Sequence, residues 1–150
     1  MKLIVIGGAR NSKKDLLAHK LSSSLDCIWV KPYSNRKVPI NSDPVVDFIP
    51  LNDNQLNDKL EREESLAETI AKGNRYIYFI NQLKGDYSII TGDDSIMLSA
   101  THNWNGDIIT IKCHSDKEMP SVRCLMSDNE FDVTFHYEDD DFEELLEMVR

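Results

Sequence analysis

The sequence predicts an α/β fold, a mostly parallel sheet with helices on both faces. Three observations lead there. A continuous apolar run at the N-terminus stops at two glycines, strand-like and helix-like segments alternate along the chain, and an amphipathic helix closes it. With 150 residues, 41% hydrophobic and 29% charged, the composition is that of one globular domain, 1–150, able to bury about 70% of its unfolded surface.

Leu3 to Ile6, stopped by Gly7-Gly8, reads as a buried strand and is too short for a signal segment or a membrane span. A helix follows, its apolar stripe made by Leu17, Leu21 and Leu25 with Leu16 beside them. Cys27 to Val30 is a short strand, Lys31 to Pro44 with three prolines a loop, and Val45 to Leu51 an edge strand interrupted by Pro50. Asn52 and Gln55 form a capping box for the next helix, with Leu51 stapling to Leu56. Leu66 and Ile70 give residues 64–71 a helical spacing, and both helix and strand stay open for this segment. Tyr76 to Ile80 and Tyr87 to Thr91 are strands by their aromatic and β-branched content, Ser95 to Ala100 a short helix, and Asp107 to Cys113 and Phe131 to Tyr137 further strands. Phe142, Leu145, Leu146 and Val149 mark the last helix, with Asp141 and Glu144 as its start signal.

Charge narrows the function classes. The net charge is −9, yet residues 1–40 hold eight Lys and Arg against Asp15 and Asp26, and Asp128 to Glu147 contains ten acids and no Lys or Arg. The acidic face repels a nucleic-acid backbone, while the basic first quarter can hold a small anion. Cys27, Cys113 and Cys124 are odd in number and widely spaced, so they read as free thiols of a cytoplasmic protein. The four histidines show no ligand spacing, and Asp139 to Asp141 serve a helix dipole more naturally than a cation, so no metal site is expected.

The turn Gly7-Gly8-Ala9-Arg10-Asn11-Ser12-Lys13-Lys14-Asp15 joins a strand to a helix, where free N–H groups and the helix dipole favour phosphate. A P-loop requires G-x-x-x-x-G-K-[ST]. Gly7 and Lys13 stand at that spacing, but Ser12 replaces the second glycine and Lys14 the magnesium-binding hydroxyl. A serine takes up the positive φ of that glycine less readily.

From Leu3 to the C-terminus the order of features resembles the guanylate kinases. Leu-Ile-Val-Ile-Gly-Gly resembles their first strand and P-loop, Arg36 with Val38-Pro39 their GMP-phosphate loop, and Asp47-Phe48 the Asp-Tyr before the capped helix. Gly73-Asn74-Arg75-Tyr76 resembles the G-N-x-Y-G bordering the GMP site, Ser88 to Asp93 the strand ending in two aspartates, and Asp140 to Glu144 the start of the last helix. The resemblance implies a three-layer P-loop NTPase-like fold with a small GMP-site-like subdomain.

Departures from the family are equally specific. Pro39 sits at a second arginine, Phe48 at a phosphate-binding tyrosine, Tyr78 at a guanine-recognising serine and Thr91 at the first aspartate. The guanine-recognising glutamate falls at Ala67 or, with a one-residue slip, at Glu68. Where the family has an arginine-bearing lid, only His114 to Glu130 is present, with Arg123 its single arginine. Phosphoryl transfer draws its rate from positioning and cations, an arginine alone contributing about 10³ to 10⁵. The expectation is a degenerate kinase without catalytic residues, requiring no cofactor, with weak ATP, GMP or phosphate binding at Gly7, Gly8, Ser12, Lys13 and Lys14. A protein partner is expected at the GMP-site-like cleft of Arg36, Phe48, Tyr76, Tyr78 and Asp93, without nucleic acid or membrane. The alternatives are a divergent GMP or dGMP kinase and an acidic nucleic-acid mimic.

Overall fold

A computed structural model describes residues 1–38 and 47–150. Pro39, the end of the predicted loop and the start of the strand expected from Val45 lie outside the described residues. Five strands form a parallel sheet: β1 (Lys2–Gly7), β2 (Ile28–Trp29), β7 (Tyr87–Gly92), β8 (Asp107–His114) and β9 (Val133–His136), in the order β2-β7-β1-β8-β9. The period-two alternation of β1 sends Ile4 and Ile6 to one face and Leu3 and Val5 to the other. Against the first face pack α1 (Lys14–Leu25) and α4 (Phe142–Val149), through Leu17, Leu21, Leu145, Leu146 and Val149. Against the second pack α3 (Asp94–Asn103), through Ile96, Met97 and Ala100, and Leu66, Ala67 and Tyr78 of a smaller sheet. The architecture is therefore three-layered, with both faces of a parallel sheet covered.

The smaller sheet comprises β3 (Tyr33–Ser34), β4 (Ile49–Pro50), β5 (Ser65–Ala71) and β6 (Asn74–Phe79), in the order β4-β3-β6-β5. On its outer side, Ile77 and Phe79 of β6 meet Leu56 of α2 (Asp53–Arg62). The Asn52–Gln55 capping box forms as the sequence predicts, and Leu51 packs beside Leu56.

The structure decides one local reading that the sequence leaves open and corrects two others. Residues 65–71 are a strand: a spacing of four suits period two as well as a helix, and the turn at Lys72 (φ 51°) and Gly73 (φ 78°) pairs β5 with β6 as a hairpin. Ile70, near the hairpin tip, is 63% exposed. Leu16 is 53% exposed and lies off the α1 stripe, which Ala18 joins instead. Asp141 caps α4 by accepting the Glu143 N–H (2.9 Å), without a reciprocal bond from Glu144.

Candidate functional site

Adjacent strands β7, β1 and β8 end together, and the crevice outside the carboxyl ends of parallel strands is where such sheets bind ligands. Gly8 to Lys13 turns there between β1 and α1. The loop closes on itself, the Ser12 N–H donating to the Ala9 carbonyl at 3.1 Å. The positive φ expected at position 12 falls on its neighbours instead, Asn11 (61°) and Lys13 (64°). Ser12 thereby turns inward: its Oγ is buried, without a hydrogen-bond partner among the described residues, and rests against Gly8. A Cβ on Gly8 would fall 2.8 Å from the Cys113 carbonyl oxygen and 2.9 Å from the Ser12 Cβ, so only glycine fits. Two thiols brace the loop from either end of its turn. Cys113 Sγ donates to the Ser12 carbonyl (3.1 Å) and Cys124 Sγ to the Gly8 carbonyl (3.4 Å). Burial pushes the Cys113 thiol up to about 12 and raises Cys124 as well, so both stay protonated at neutral pH.

Lys13, the lysine expected to meet phosphate, meets a carboxylate of the chain itself. Its Nζ lies 2.6 Å from Glu138 Oε1, in the turn after β9, and 5.2 Å from the Tyr137 ring centroid. Glu138 also accepts from Ser115 Oγ (2.8 Å) and the Asp116 N–H (3.3 Å). The hydrogen bond from Lys13, followed by that from Ser115, overcomes desolvation and holds the Glu138 carboxyl down to about 2. Glu138 thus presents an anionic acceptor to a cation at the start of α1.

Residues 115–130 cross this crevice as a strap. The Met119 N–H donates to the Arg10 carbonyl (2.8 Å), an isolated antiparallel bridge to the loop. At the β7–α3 turn, the Asp94 N–H donates to the Arg123 carbonyl (2.9 Å), and Asp94 Oδ2 accepts from the N–H of Leu125 (2.5 Å) and Met126 (3.0 Å). Lys112, which the register places beside Gly7, is buried under the strap with its Nζ 3.4 Å from the Met126 carbonyl and 5.2 Å from the Phe131 ring centroid. Arg123, the single arginine in place of the lid, reaches Asp93 at 3.7 Å. Asp93 is nearly buried: it caps α3 through the Ile96 N–H (3.2 Å) and accepts from Thr69 Oγ1 (2.7 Å) of β5.

The second sheet holds the other predicted residues. Arg36 lies 5.7 Å from the Phe48 ring centroid, and Phe48 packs edge-on to Tyr76 at 6.4 Å. Arg36 is exposed and Tyr76 half-buried. Phe48 and Tyr78 are buried: Phe48 packs against Arg36 and Tyr76, whereas Tyr78 lies in the core beside the central sheet, its hydroxyl donating to the Thr91 carbonyl at 2.9 Å. Burial raises the Tyr78 hydroxyl far above its ordinary value. Of the two positions matched to the guanine-recognising glutamate, Ala67 is core, and Glu68 is engaged by Arg75 from both Nε (3.1 Å) and Nη2 (2.8 Å). The structure therefore separates Gly7, Gly8, Ser12, Lys13 and Lys14 in the loop from Arg36, Phe48 and Tyr76 in the cleft, with Asp93 between the β5 strand and the strap.

Sequence reasoning missed Glu138 and Lys112. The signal for both was positional: each lies at or just beyond the carboxyl end of a parallel strand near β1, but that requires the strand order. The residues present do not fit a magnesium–triphosphate group. The hydroxyl at the loop's second-glycine position points inward, a lysine occupies the ligand-hydroxyl position, and the phosphate-facing lysine is already paired. Among the described residues, no three His, Cys, Asp or Glu side chains converge as a metal set, and no helix is long and apolar enough to cross a membrane.

No protein-family model matches the sequence, and no curated protein sequence matches it. The structure is similar to the crystal structure of guanylate kinase from Anaplasma phagocytophilum, with a TM-score of 0.68 and 13% identity over 98% of this chain and 81% of that one. The chain, with its parallel sheet covered by helices, therefore has a guanylate kinase-like fold.

Proposed function

We propose that this chain is a catalytically degenerate guanylate kinase-like binding module, a cytoplasmic protein that docks a protein partner and does not transfer phosphate. The observation that carries the reading is the pairing of Lys13 with Glu138. A phosphoryl donor must be gripped by cations in a fixed frame, because positioning and charge supply nearly the whole rate. Here an incoming phosphate competes with a carboxylate already bound by Lys13, Ser115 and Asp116. Binding of phosphate, ATP or GMP at Gly7, Gly8, Ser12, Lys13 and Lys14 is accordingly weak, and no cofactor is required. The partner docks on the cleft of Arg36 and Tyr76, an arginine and an aromatic of the kind that dominate protein interfaces, stiffened by the buried Phe48 packed against both.

A divergent GMP or dGMP kinase is the second reading, favoured by the likeness to a guanylate kinase along 98% of the chain. Turnover of GMP and dGMP with MgATP separates the two. The degenerate module gives no monophosphate-dependent ADP above background, whereas robust formation abolished by Lys13→Ala establishes the kinase. Capture of a protein partner, weakened about tenfold or more by Arg36→Ala and Tyr76→Ala in folded variants, supports the cleft. Unchanged binding with loss on charge reversal within 128–147 moves the interface to the acidic face.

A further inference from the structure

We propose that His114 is a protonation-dependent clasp that holds the strap closed over the loop after β1. His114 ends β8, and its two ring nitrogens face two carboxylates: Nδ1 lies 2.8 Å from Glu118 Oε1 and Nε2 2.8 Å from Asp128 Oδ1. A neutral imidazole carries one N–H and one lone pair, so donating to one carboxylate turns the lone pair on the other. Only the imidazolium donates to both.

Glu118 and Asp128 bracket the part of the strap that does the covering. Between them lie Met119, bonded to Arg10, Cys124, bonded to Gly8, and Leu125 and Met126, bonded to Asp94. One proton on His114 thus fastens both ends of the covering segment to the end of β8. The groups facing the ring are Glu118 from the strap, Asp128 from the short 3₁₀ turn 128–130 and His136 from β9, whose ring stacks on it at 5.0 Å between centroids. Partial burial pulls the His114 pKa down, but the hydrogen bonds to Asp128 and Glu118 together raise it above its ordinary value. The sign follows: the clasp is fully engaged below the ordinary histidine value of about 6.5 and is lost as pH rises through the higher value of the closed state. Release would uncover the Gly8 and Arg10 carbonyls and Cys124. The inference stands whether or not the chain transfers phosphate, since it concerns only how the strap is held.

Amide hydrogen exchange tests it on the whole chain, with rates corrected for intrinsic pH dependence. Between about pH 5.5 and about pH 8.5, protection at Met119, Leu125 and Met126 is expected to fall about tenfold for each unit by which the closed state raises the His114 pKa, while protection at Ile4 and Ile111 holds. His114→Gln should abolish the fall, and Glu118→Gln and Asp128→Asn should each reduce it. Because the His114 variant risks misfolding, ¹⁵N resonances of the wild-type ring provide a second reading. Both nitrogens protonated at the lower pH supports the clasp. A neutral tautomer there, equal strap protection at both pH values, or an undiminished fall in folded His114→Gln overturns it.

Discussion

The loop after β1 and the cleft of the smaller sheet differ in how far the chain's own side chains occupy them. At the loop, Lys13 is matched by Glu138 and Lys112 by the Met126 carbonyl and the Phe131 ring, and Ser12 occupies the space beside Gly8. In the cleft, aromatic packing supports an exposed Arg36, and Arg75 spans from Glu68 to Asn57 on the surface. The loop's lysine is thus paired within the chain, whereas Arg36 in the cleft is exposed. Under the proposed function, the pairing of Lys13 closes the phosphate-donor side while the exposed Arg36 leaves the other face available for recognition.

The largest test breaks the loop. Gly8→Ala forces a Cβ onto the Cys113 carbonyl at 2.8 Å and onto the Ser12 side chain, and overpacking of this kind costs about 1 to 3 kcal/mol, measured as a shift in denaturant midpoint. The cleft around Arg36 and Tyr76 should keep its resonances in the folded fraction. Asp93→Ala attacks the joint between the two regions, since it removes the α3 cap, the Thr69 bond and the Arg123 contact together. A loss of about 1 to 2 kcal/mol is expected by the same measurement. Arg75→Ala touches only the cleft. Its contacts are surface pairs, so stability should change by less than about 1 kcal/mol while the resonances of Glu68 and Asn57 move.

The smallest expected effect is on pH dependence. Because the folded Glu138 carboxyl lies at about 2, below its ordinary value, its contribution is present above about pH 4.3 and fades as pH falls toward about 2. A titration of Glu138 followed by carboxyl NMR should find it still ionised at about pH 3.5, and an ordinary carboxylate value would break the account of the loop.

Much of this was legible in the sequence. The apolar run of β1, the Asn52–Gln55 box and the leucines of α1 and α4 each carry a local signal that tertiary packing reinforces. The strand at 65–71 was not, because Leu66 and Ile70 suit both periods and the hairpin turn decides between them. Within the site, the departure of the loop from the P-loop pattern could be read from Ser12 and Lys14 alone. Glu138 could not, for it sits in a run of acids whose neighbours face solvent, and only the parallel pairing of β8 with β9 brings it to Lys13. Similarly, the burial of Tyr78 follows from β6 packing its inner side on the central sheet, which residue type does not reveal.

The proposal that Glu138 holds the place of a phosphate on Lys13 is tested by titrating the wild type and Glu138→Gln with ATP or inorganic tripolyphosphate. Followed through the amide resonances of residues 8–15, the wild type should bind weakly, and Glu138→Gln should bind about tenfold or more tightly, as one charge-assisted hydrogen bond passes from carboxylate to ligand. Equal affinity in the two proteins, or tight binding by the wild type at the same resonances, would contradict it.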